Sequence, residues 1–187
     1  RIQYKGSVPL ENTYMGLFSD PDLGNFQDDY VGSDTTLGMG FVYNADNDDE
    51  GGEGYGEAPP AAGYDFFQGP LVDDNGIDDN GDGQVDEDNE RLKMTAFAFY
   101  NNGGGIQGDP GNGQDMYNFM QGRWKDGQRF TLGGNGLGFS NIPTSFMFPG
   151  NPPGFWSEFD SDDQGSAISP ADRRFVMATG PFTIKPA

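Results

Sequence analysis

The chain sets 30 Asp and Glu against 10 Lys and Arg over 187 residues, a formal charge of −20, with no cysteine and no histidine. That sign excludes nucleic acid and anionic membrane surfaces as partners, because both are bound through cationic side chains. The missing Cys and His exclude disulfides, thiolate sites and the commonest zinc or copper ligands, leaving oxygen ligands, which select hard cations.

Acidic chains of low hydropathy are often disordered. Here 16 Phe, 8 Tyr and 2 Trp supply an apolar payload that acidic tails lack, so one ordered domain over residues 1–187 is expected. No stretch is long and apolar enough to span a membrane, and no leader is visible. With 31 Gly and 13 Pro, helices should be few.

In chain order, strand character runs over residues 11–19, 38–43, 92–100, 122–132, 144–148, 174–179 and 182–185. Asp126-Gly127 suits a type I′ turn inside the fourth of these. Residues 115–121 have approximate helical spacing, with Gly122 as the stop. These elements predict an all-β fold, a β-sandwich or irregular jelly-roll-like domain with at most one or two short helices. Residues 44–63 and 71–90 are too long for simple connections, and loops of about 20 residues need an organiser. A bound cation is the expected one.

The strongest candidate is the insertion at 71–90, where Asp78, Asn80 and Asp82 alternate oxygen side chains along a run ending Asp82-Gly83-Gln84-Val85-Asp86-Glu87. Curled backbone brings such alternating oxygens onto one ion. Gly83 permits the sharp turn, Gln84 offers its carbonyl, and Asp86 closes the shell, with Asp74 and Glu87 completing the set. So many carboxylates favour Ca2+ over magnesium, and Val85 is expected to anchor the loop to the core. A second calcium site is expected from Asp20, Asp22, Asp28, Asp29 and Asp34 with Asp46 and Asp48, if strand 38–43 returns the later group to the earlier one. Asp160, Asp162 and Asp163 lack such spacing and should be solvated.

Arg173 and Arg174 read as structural partners for carboxylates, with a ligand clamp the alternative. Trp124 and Trp156 are candidate sugar-stacking platforms, which makes a carbohydrate-binding module the alternative function. No carboxylate is set apart in apolar surroundings, as a glycosidase acid requires, so no enzymatic activity is expected.

The run from Asp78 resembles the Asp-rich calcium loops of EF-hand-like, dockerin and thrombospondin type 3 repeats. It departs from the EF-hand at Asn89, where Glu87 or Glu90 must substitute for the twelfth-position Glu, and it lacks flanking helices. The resemblance therefore implies a static structural site. Along most of the chain, the segments Ser19-Asp20-Pro21-Asp22-Leu23-Gly24, Tyr43-Asn44-Ala45-Asp46, Ala58-Pro59-Pro60-Ala61-Ala62-Gly63-Tyr64, Gly122-Arg123-Trp124-Lys125-Asp126-Gly127 and Asp172-Arg173-Arg174-Phe175 occur in that order. This order resembles a recurring domain of secreted Bacteroidota proteins that carry a C-terminal sorting domain. It implies an extracellular or cell-surface, structural or adhesive role, with self-association into a filament or contact with neighbouring domains. It also implies that Gly180-Pro181-Phe182 leads into a further domain, and that Thr35 in Asp34-Thr35-Thr36 is an O-glycosylation acceptor.

Overall fold

The computed structural model describes residues 2–72, 75–150 and 156–186. Along the chain these form β1 (Leu10–Ser19), a 3-10 turn (Phe26–Asp28), β2 (Asp29–Asp34), β3 (Met39–Asn44), β4 (Asp48–Asp49), β5 (Gly56–Glu57) and β6 (Ala61–Asp65). Then come β7 (Ala96–Asn101), α1 (Gly113–Met120), β8 (Phe130–Thr131), β9 (Pro143–Thr144) and β10 (Arg173–Ile184). Two antiparallel three-stranded sheets dominate, in the orders β1-β10-β7 and β2-β3-β6. The fold is all-β; at three strands each, the sheets are too short to assign a sandwich or jelly-roll topology. No helix among the described residues is long and apolar enough to cross a membrane.

The central strands explain the layering. β7 and β10 read Ala-Phe-Ala-Phe-Tyr and Phe-Val-Met-Ala, continuous apolar runs with both faces buried. On one face Tyr100 stacks on Phe119 of α1, with ring centroids 5.1 Å apart. On the other, Phe175 meets Tyr64 of β6 edge-on at 5.5 Å. The sheets pack tightly at Gly40 of β3, where an added Cβ would lie 2.8 Å from Phe97 and 2.9 Å from Phe175. Both rings are fully buried and cannot yield. Gly40→Ala should therefore cost about 1–3 kcal/mol through overpacking, read as a lower urea midpoint at unchanged slope.

α1 begins one turn's edge earlier than the spacing suggested, because Asn112 caps it. The Asn112 side-chain oxygen accepts the N–H groups of Gln114 and Asp115 at 2.8 and 3.1 Å. Gly122, at φ +69°, ends it as expected. The predicted strands at 174–179 and 182–185 are one strand. Beyond Ala178 β10 pairs only with β1, so Pro181 costs no hydrogen bond to β7.

Other expectations are corrected. Segment 122–132 keeps only an Arg123–Arg129 bridge and β8. Its turn is not type I′: Gly127 alone has positive φ, +86°, and its N–H donates to the Trp124 carbonyl at 2.8 Å. That is a type I turn closed by a glycine bulge. Trp124 and Trp156 are 0% and 3% exposed, with indole N–H groups donating to Gly136 and Gly134 carbonyls. Neither can present a sugar platform. Both fill the core beside Phe99, Phe130 and Phe148.

Candidate metal centre

Three acidic groups survive folding, each held differently. The first is the 75–90 loop. Its ends are tied by Val72 N–H to the Glu90 carbonyl (3.0 Å) and Leu92 N–H to the Pro70 carbonyl (3.1 Å). Within it the carboxylates turn onto backbone N–H groups. Asp78 accepts from Gly81, Asp82 and Gly83 at 2.6, 3.2 and 2.9 Å, and the Gly83 N–H above all holds its carboxyl below the usual range. Asn80 accepts from Asp82 N–H, Asp82 from Gln84 N–H, and Asp86 from the N–H groups of Asn75 and Gly76. Among the described residues no three carboxylates of this loop bring oxygens within 4.8 Å of one another. Asp74 lies outside the described residues.

Val85 is not the anchor: it is 55% exposed. Glu90 takes that place at 1% exposure, accepting N–H groups from Asp79, Asn80 and Asp86. A loop of Asp, Asn and Gly has more free N–H groups than apolar surface, so a buried acceptor fastens it better than a valine. Glu87 accepts from the Asn80 side-chain amide through one oxygen, while its other oxygen is buried without a donor.

The second group forms where β3 returns the chain to the start of β2. Asn44 pairs with Asp29, and Ala45 N–H donates to the Asp28 carbonyl at 2.8 Å. Asp29 is 1% exposed; one carboxylate oxygen accepts Leu23 N–H at 3.0 Å and the other has no partner. Both Asp28 carboxylate oxygens are buried without partners. Asp49, also 1% exposed, accepts the N–H groups of Asn25 (2.9 Å) and Tyr55 (2.8 Å). Gly24, at φ +64°, lies so close that a Cβ there would collide with the Asp49 carboxylate. Burial pushes the Asp29 carboxyl up to about 7, against the pull of Leu23 N–H and with Asp28, Asp49 and Asp22 adding to the rise.

Five expected members leave this group: Asp20 and Asp22 join Asp172 in the third, and Asp34, Asp46 and Asp48 lie apart. Asp34 sits at the far end of the β2–β3 hairpin and accepts Thr36 and Leu37 N–H at 2.9 Å. Asp46 and Asp48 are exposed, with Asp46 accepting Asp48 N–H. The run of acids at 46–49 gave no sign of which one turns inward; the β4–β5 pairing selects Asp49. Thr35 is half-buried in the hairpin turn.

The third group joins Asp20 and Asp22 to Asp172, whose carboxylate oxygens lie within 4.8 Å of one another and could hold a metal ion. Arg174 already serves them, at 2.9 Å from Asp20 and 3.8 Å from Asp172, and also pairs with Asp109 at 2.9 Å. Asp172 was missed because it lies 150 residues along the chain; the Arg173-Arg174 doublet beside it was the available signal. Asp160 and Asp162 turn onto the N–H groups of Gln164, Gly165 and Ser166 in their own loop.

Arg173 does not join that cluster. It pairs with Glu158, and both side chains are buried, at 2% and 0% exposure. Glu158 also accepts Val31 N–H at 2.9 Å, and Arg173 donates to Asn101 and to the Ser169 carbonyl. Burial pushes Glu158 up to about 6 against the lowering by Arg173. Its side chain is enclosed in the core together with the Arg173 guanidinium.

All ligands on offer are oxygens, and several buried ones lack a donor, which is the chemistry a hard divalent cation fits. Compared with known proteins, the chain matches no protein family, no curated sequence and no solved structure.

Proposed function

We propose that this chain is a cation-stabilised structural domain of the extracellular or cell surface, adhesive or filament-forming through self-association or neighbouring domains, with Ca2+ as the cation. The observation that carries it is the 75–90 loop, in which seven carboxylates and no base fall within sixteen residues. Such density repels itself, most strongly at low ionic strength. N–H groups satisfy most of its oxygens but neutralise none of its charge, and Glu87 keeps a buried oxygen with no donor. Calcium takes six to eight oxygens in flexible geometry, from carboxylates, carbonyls and water. Extracellular placement is consistent with this, because modest sites fill only where calcium is near millimolar.

A structural role is favoured over catalysis by where the perturbed acids sit. Glu158 is committed to Arg173, and Asp29 lies under a loop beside other acids. The test is whether calcium raises the melting temperature of the chelator-treated chain.

A further inference from the structure

We propose a separate divalent-cation site beneath the loop at residues 20–28, on the unpartnered oxygens of Asp28 and Asp29. It rests on the same reading of this protein as a cation-stabilised domain, but not on the 75–90 loop.

Three observations place it here rather than at the neighbouring exposed triad. First, the triad of Asp20, Asp22 and Asp172 already has the Arg174 guanidinium among its carboxylates, whereas among the described residues no salt bridge reaches Asp28 or Asp29. Second, Asp29 is 1% exposed and keeps one oxygen with no donor, and Asp28 keeps two. A buried carboxylate left this way bears a desolvation penalty that a cation removes. Third, the backbone is fixed around the position. Asp29 is paired to Asn44, Ala171 N–H reaches the Asp29 carbonyl at 3.4 Å, and Leu23 N–H clamps the loop onto the Asp29 carboxylate.

Among the described residues no group of three carboxylates forms around Asp28 and Asp29 at the 4.8 Å spacing that joins the triad. The site is therefore built on two carboxylates, and carbonyl oxygens or water fill the remaining positions, as calcium and magnesium both accept. An ion there ties the 20–28 loop to the first residues of β2, and through Ala171 to the segment entering β10. Asp49 does not ligate it; its two oxygens are spent on Asn25 and Tyr55 N–H groups, which shape the same loop from the other side.

The experiment titrates calcium chloride into the chelator-treated full chain by calorimetry, for the parent, Asp29→Asn, Asp28→Asn and the loop double variant Asp78→Asn/Asp82→Asn. The expected result is one equivalent fewer, or at least about tenfold weaker binding at one site, in Asp29→Asn and Asp28→Asn. The loop double variant should retain that equivalent. Asp28 is only part-buried, so Asp28→Asn keeps the test alive if Asp29→Asn does not fold. Binding in the parent that neither variant weakens overturns this site alone. So does an Asp29→Asn gain in stability that is equal with and without calcium, because the Asp29 carboxyl is then simply protonated. Absence of calcium binding in every protein, parent included, sinks this site and the wider reading together.

Discussion

Arg173→Met should lower folding stability by about 3–5 kcal/mol, among the largest single losses available in this chain. Glu158 is 0% exposed, and its charge is compensated by one guanidinium, supplemented by Val31 N–H. Removing Arg173 strands a buried carboxylate and also frees the Asn101 and Ser169 oxygens that the guanidinium satisfies. The pair itself need not be a large net stabiliser, since desolvating two charges offsets most of their attraction. A second variant separates these effects. Glu158→Leu with Arg173→Met removes both charges, and should be less destabilised than either single change. Urea unfolding measures it. A loss below about 1 kcal/mol for Arg173→Met would show that Glu158 is not held as a buried anion.

The second large effect is a dependence on pH with an unusual direction. Burial raises Asp29 from an ordinary carboxylate to about 7 in the folded chain. The unfolded chain therefore releases this proton first, and stability falls as pH rises between about 4 and 7. The full shift corresponds to at most about 4 kcal/mol. Glu158, raised to about 6, adds in the same direction over a narrower window. Asp78 and Asp162 work oppositely, because backbone and serine donors hold them low and their contribution is lost as pH falls. Chelator-treated protein should thus be more stable at pH 5 than at pH 7.5. Calcium should flatten that slope, since a bound cation keeps Asp29 ionised in the folded state. A chelated protein whose stability is level or climbs between pH 5 and 7.5 would contradict the burial of an ionisable Asp29.

Much of the architecture was legible because it follows from local chemistry. Strand β3, the end of α1 at Gly122 and most of β1 and β10 follow from alternation, aromatic content and glycine placement. Strand β2 was hidden because Asp29 and Asp34 bound it, and acids at strand ends look like ligands rather than ladder residues. Strand β6, Ala-Ala-Gly-Tyr-Asp, has almost no β-forming side chains and is held by its backbone pairing to β3. The acidic groups were visible as groups, but their membership was not. Burial decides between Asp49 and Asp46, and between Glu90 and Val85, and burial is set by pairings that only the folded chain makes. Glu158 had no signal at all, since its partner lies across the core at Arg173.

A cation-stabilised domain must bind divalent cations in its native chain and not in the unfolded one. Thermal unfolding of chelator-treated protein, repeated with excess calcium, tests that requirement directly. At calcium 100-fold above its dissociation constant, one site contributes about 2.7 kcal/mol. For a chain of this size that raises the melting temperature by roughly 5–11 °C, and more if two sites fill. Melting curves that superimpose in calcium and in chelator would contradict it.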